Sequence, residues 1–146
     1  MKNEIGKVIR LFLSKKEEPK RQNKAKIYLD EKGVFDDKFY DKGVERSVLL
    51  SSTHSYTLAS EHQILMEYGT LGENILIDYN LYSLTMGTVL KIGEVEVEIT
   101  QNCTICNHLS SVDKALPKLL KKDRGIFVKV IQSGVIKEKD KVYLLG

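Results

Sequence analysis

The stretch TVLKIGEVEVEIT, residues 88–100, decides the fold class. From Glu94 onward, charged and apolar side chains alternate as Glu94, Val95, Glu96, Val97, Glu98, Ile99. That period of two puts three carboxylates on one face of a strand and three apolar side chains on the other. It also fixes the register, because a slip of one residue would turn the apolar set to water. Gly93 separates this run from the apolar segment 88–92, and a residue without Cβ can take the positive φ of a tight connection. A β-hairpin is therefore predicted over 88–100.

Working outward, short β-branched segments recur between glycine or charged turns. Candidate strands are 6–13, 25–29, 47–50, 74–77, 89–92, 95–100, 126–131 and 142–145. Eight such segments suit a barrel, so the predicted class is mainly β and β-barrel-like, with a few short helices. Ser60 followed by Gln63 reads as a capping box ahead of Ile64, Leu65 and Tyr68, with Gly69 as the C-terminal stop. Downstream, Val112, Leu116, Leu119 and Leu120 share a helical face, and Pro117 divides it into two short turns. Residues 15–23, with Pro19 among them, read as a long exposed hairpin loop.

The chain has 146 residues, 23 of them basic and 20 acidic, for a formal charge of +3, and 42% are apolar. One domain over 1–146 is expected, since a chain of this length buries roughly two-thirds of its unfolded surface and needs no staples. The apolar runs at 48–50 and 75–77 fall far short of the roughly 18 residues of a membrane span. Arg10 breaks the apolar stretch 8–13 and no small-residue cleavage site follows, so no signal peptide is read. Two cysteines without an export signal then point to the reducing cytoplasm and against a structural disulfide. Positive charge gathers at 15–26, with six Lys or Arg against two Glu, and at 114–124, with five against one Asp. No aromatic residues interleave with either run, so both read as solvated faces and nucleic acid is not an expected partner.

The chemistry is expected at QNCTICNH, residues 101–108. Cys103 and Cys106 are spaced to share one metal or each other, and His108 could add a nitrogen. This is half a zinc site: the second cysteine pair is missing, which leaves His54 and His62 as distant candidates. A thioredoxin-type dithiol should open a helix after a buried strand, whereas this pair follows an amphipathic one. The alternative for both cysteines is burial as small apolar residues. No Ser-His-Asp order, phosphate-cradling loop or paired-carboxylate pattern supports a hydrolase or nucleotide-binding reading.

Together these residues resemble the MOSC family, named for the C-terminal part of molybdenum cofactor sulfurase. The landmarks are Gly33 and Asp37 ahead of Arg46-Ser47-Val48-Leu49-Leu50, then Leu71-Gly72-Glu73-Asn74-Ile75, Gly87 and Ile92-Gly93. They continue through 100–106 with Leu109, Arg124-Gly125 with Val130, and Gly134 with Asp140. Two departures stand out. Asp36-Asp37-Lys38-Phe39 lies where members typically show Gly-Asp-x-His, and Cys103 is an extra thiol beside Cys106, the residue that matches the family cysteine.

The resemblance implies a β-barrel of the MOSC type, pyruvate-kinase-barrel-like, that binds the molybdenum cofactor (molybdopterin) or handles sulfur for a metal centre. Cys106 is then the metal ligand and catalytic residue, a soft thiolate suited to a metal already held by dithiolene sulfurs. Arg46 is the best-placed cation for the cofactor's phosphate and pterin, since guanidinium offers a planar fork of donors; Arg124 and Lys129 follow it. Asp37 is read as orienting Arg46. Asn74, with Glu73, either touches cofactor or holds its own loop by bonding to backbone. The implied activity is two-electron reduction of a small N-hydroxylated compound, with electrons from a separate electron-transfer protein. The alternative is a non-enzymatic sulfur carrier that holds a persulfide on Cys106, loaded by a cysteine desulfurase. No pyridoxal phosphate is expected within this chain. A third reading is a binding module without chemistry.

Overall fold

A computed structural model of the chain describes residues 2–15, 22–43, 48–102, 113–120 and 125–145. Among them, seven strands close into a barrel. In chain order these are β1 (Lys2–Leu13), β5 (Val48–Ser52), β6 (Ile75–Ile77), β7 (Val89–Ile92), β8 (Val95–Asn102), β9 (Ile126–Gln132) and β11 (Lys141–Leu145). Around the ring they run β1, β11, β7, β8, β9, β5, β6 and back to β1. The short β2 (Gln22–Lys24) pairs with β1 outside the ring. β3 (Lys26–Asp30), β4 (Gly33–Val34) and β10 (Gly134–Lys137) form a separate three-stranded sheet. Two helices, α1 (Thr53–Glu61) and the single turn α2 (Leu116–Leu119), complete the described elements with a 3₁₀ turn at Leu81–Ser83. No described helix is long and apolar enough to cross a membrane.

The 88–100 hairpin forms as predicted, pairing Leu90 with Val97 and Ile92 with Val95. Val95, Val97 and Ile99 are buried while Glu94 is exposed and Glu96 and Glu98 are half-buried, as the period of two requires. Gly93 turns the corner at φ +57. A Cβ there would press on the Asp140 carboxylate and lie 3.2 Å from the Val135 carbonyl oxygen. Gly93→Ala should therefore cost about 1–3 kcal/mol, read as a lower urea midpoint at unchanged slope.

β5 and β6 lie parallel, with Leu50 opposite Ile75, inside an otherwise antiparallel ring. A parallel pair needs a crossover, and α1 with the segment to Asn74 supplies it. Both faces of this pair are covered. Leu50, Ile75 and Ile77 face the barrel core, while Leu76 packs outward with Tyr56, Ala59, Leu71, Leu116 and Leu120. That is why 48–50 and 75–77 read as continuous apolar runs and not as alternation.

Three expectations change. Seven of the eight predicted strands build the barrel, and the segment 25–29, observed as Lys26–Asp30, belongs to the side sheet. The predicted helix after Ser60 does not form; α1 ends there. Ser52 caps its start by accepting from His54 N at 3.1 Å. Its end is a Schellman motif: Ile64 N donates to Ala59 O at 2.9 Å, Gln63 N donates to Ser60 O at 3.0 Å, and Gln63 is left-handed at φ +60. The Ser60 and Gln63 pair thus closes a helix instead of opening one. Pro117 lies in the first turn of α2, where its missing N–H leaves no bond unmade; Val112 lies outside the described residues. β1 and β2 form the expected hairpin, although the reach of β2 takes in Gln22 and Asn23, and the loop residues 16–21 lie outside the described set.

Candidate functional site

Residues 103–125 form the connection between β8 and β9, and they carry Cys103, Cys106, His108 and Arg124. Its two ends are side by side, because Asn102 and Ile126 are paired, and Thr100 Oγ1 donates to Phe127 O at 3.1 Å. The returning end packs tightly on β5: a Cβ on Gly125 would lie 3.0 Å from Leu49 and 3.2 Å from the Leu50 carbonyl oxygen. In the described middle, Leu116 and Leu120 are buried against the outer apolar cluster beside α1. The connection is therefore tied down at both ends and at its centre. The Cys103, Cys106, His108, Arg124 and Arg46 side chains lie outside the described residues.

Asp37 and Asn74 come together in a buried polar hub. Asn74 Nδ2 donates to Asp37 Oδ1 at 3.4 Å and to Phe12 O at 3.3 Å, while Asn74 Oδ1 accepts from Leu49 N at 3.1 Å. Its backbone repeats the bridge: Phe12 N donates to Asn74 O, and Asn74 N to Leu49 O, each at 2.8 Å. The Asp37 carboxylate accepts from Ser14 N at 2.7 Å and from Phe39 N at 3.0 Å. Two side chains thus tie the end of β1, the start of β5, the entry to β6 and the turn after β4 into one node. Arg46 stands three residues ahead of Leu49 in the chain, so the hub anchors the strand that follows it.

Glu73 points the other way. It is fully buried, and Tyr56 of α1 donates its hydroxyl to Glu73 Oε2 at 2.6 Å. The Tyr56 oxygen accepts in turn from Gly69 N at 3.1 Å and Leu71 N at 3.3 Å. Burial first, then the Glu73 charge, push the Tyr56 hydroxyl well above the ordinary tyrosine range. In this Gly-Glu-Asn turn the two polar side chains satisfy backbone and helix donors on opposite sides, which holds the crossover to the barrel. An open groove of about 530 Å³ lies over Tyr56, bordered by Thr57, Ser60, Leu65, Met66 and Tyr68.

Lys129 makes a separate pairing. It is the cross-strand neighbour of Glu98, with Nζ 3.8 Å from the carboxylate and both groups about one-third exposed. His54 is exposed on α1, and a ring nitrogen of His62 lies 3.1 Å from Leu58 O. Among the described residues no three His, Cys, Asp or Glu side chains cluster to hold a metal. Sequence reasoning missed Tyr56 and Ser14. The only signal for Tyr56 was its place one turn into a helix opened by Ser52, and Ser14 takes part through its backbone alone, which no side-chain pattern reveals.

A closed, mainly β barrel with a tethered β8–β9 connection is the class of protein these elements define. The MOSC domain pattern matches residues 37–143, and the chain belongs to the MOSC domain family. MOSC domains are associated with the molybdenum cofactor. Among solved structures, the YuaD protein of Bacillus subtilis is similar, with a TM-score of 0.82 at 16% identity over 99% of this chain and 96% of that one. YiiM of Geobacillus stearothermophilus gives 0.71 at 14% identity, over 100% of this chain and 76% of that one. YiiM of Escherichia coli gives 0.71 at 18% identity, over 96% and 70%. At these identities the likeness is one of fold. No match is found among curated protein sequences.

Proposed function

We propose that this chain binds the molybdenum cofactor, with Cys106 as the protein's sulfur ligand. The observation that carries the reading is the family match over 37–143, which takes in Cys106, Arg46, Asp37, Asn74, Arg124 and Lys129. The donor chemistry fits the group. Cys106 supplies a soft anionic sulfur, and Arg46 and Arg124 supply guanidinium forks for phosphate and pterin. The Asp37–Asn74 hub supports this by fixing the strand that follows Arg46, so those two residues position more than they touch. Lys129, already beside Glu98, contributes field at most.

When bound, the cofactor supplies a metal centre capable of two-electron change. In this reading the activity is reduction of a small N-hydroxylated compound in the cytoplasm, with electrons delivered by a separate protein. The test is metal content after purification from a host that makes the cofactor. Molybdenum near one equivalent is expected, lost in Cys106→Ser and kept in Cys103→Ser. Metal-free protein that gains the mass of one sulfur on Cys106 after treatment with a cysteine desulfurase would replace this reading with the sulfur carrier. Equal loss in both cysteine variants would point to a dithiol or zinc site.

A further inference from the structure

On the side sheet, a hollow of about 240 Å³ is lined, among the described residues, by Leu13, Lys24, Lys26, Tyr28, Phe35 and Asp36, with Ile27 and Val135. Its lining is partly apolar, with the buried Leu13 and Ile27 at its edge and Val135 beside Tyr28 on the same face of the sheet. Its walls are two aromatic rings that water reaches: Tyr28 is 46% exposed and Phe35 59%. These rings are held in place. Phe35 N donates to Tyr28 O at 2.8 Å, and the Phe35 ring meets Tyr28 edge-on at 6.4 Å and Tyr40 at 5.9 Å. Tyr40 is itself fixed by donating to Asp30 at 2.6 Å. Rings locked at the surface are preorganised for a flat partner and lose little entropy on binding one.

The charge of the hollow is one-sided. Among the described residues Asp36 is its one acid, and Lys15 Nζ neutralises that carboxylate at 2.6 Å. Lys24 and Lys26 stand at the rim, and among the described residues neither has an ion-pair partner. Lys26 and Tyr28 share the outward face of β3, so ammonium and ring are presented together. A hollow of this volume takes about one ring and its substituent, smaller than the roughly 300–1,000 Å³ of drug-sized sites. We infer that this hollow binds a small planar aromatic carboxylate, its ring against Tyr28 and Phe35 and its carboxylate toward Lys24 and Lys26.

The test is an NMR titration of amide shifts at low salt with benzoate, beside cyclohexanecarboxylate and benzyl alcohol. Benzoate should give saturable shifts confined to residues 22–36 and 134–137, with a Kd on the order of 1 mM, as expected for a fragment-sized probe. Both comparators should bind about tenfold more weakly, one lacking the π face and the other the charge. Lys24→Glu with Lys26→Glu, and separately Phe35→Ser, should each weaken benzoate about tenfold. If the charge-reversed protein does not fold, Lys24→Gln with Lys26→Gln gives the same reading. Cys106→Ser should leave the titration unchanged, which separates this site from the cofactor reading. Shifts that do not saturate, that map elsewhere, or that survive all these variants overturn the assignment.

Discussion

Asn74→Ala is expected to lower the unfolding free energy by about 3–5 kcal/mol, equivalent to about 10–16 °C in Tm for a domain of this size. The reason is what the truncation leaves behind. Leu49 N–H loses its side-chain acceptor, and the Phe12 carbonyl and Asp37 carboxylate lose a donor, all at buried residues. An unmade bond at a buried group costs more than the net worth of the bond, and one of these groups is charged. Asp37→Ala should also destabilise, by removing the acceptor for Ser14 N and Phe39 N. The double variant should lose less than the sum of the two singles, because they share a contact. Urea unfolding of the four proteins checks this; strict additivity would mean that the two side chains act independently.

Tyr56→Phe should cost about 2–4 kcal/mol near neutral pH with the ring packing preserved, because it removes the donor to a buried carboxylate and the acceptor of two backbone N–H groups. Its pH dependence carries the sharper signature. The folded protein holds the Tyr56 proton above the ordinary range, so this group's stabilisation is fully present below about pH 10. Above that, the unfolded chain releases a proton that the folded one keeps. Wild-type stability then falls by about 1.4 kcal/mol per pH unit from this one group. The variant has no such proton, so the gap between the two proteins should be flat from pH 7 to 9.5 and should narrow from pH 10 to 11. A gap that stays constant to pH 11 would show that folding does not hold the hydroxyl proton above its ordinary range.

The barrel was legible because its strands announce themselves. In β8 the alternation of Glu with Val and Ile is a direct imprint of one wet and one dry face. In β5 and β6 the unbroken apolar runs are the imprint of two dry faces. The side sheet was half hidden, because β4 has two residues and β10 four, too few for a period to show. The α1 misreading has a different cause. Serine and glutamine near a helix end serve either terminus, and only the positive φ of Gln63 decides which, a quantity that composition does not encode. The candidate site was legible as residue types on a family pattern. Its tertiary wiring was not: Asn74 reaches Phe12 across 62 residues and Asp37 across 37, and Tyr56 meets Glu73 across 17. Local rules carry no information on such pairs.

The pairing of Lys2 with Leu145 through Lys7 with Lys141 sews the first strand to the last. The ring therefore cannot seal until β11 has been synthesised. Until then β1 and β7 each carry a bare edge, and the hub at Asn74 braces an unclosed cylinder. Such closure, between strands far apart in sequence, is a slow kind of ordering for an otherwise small domain.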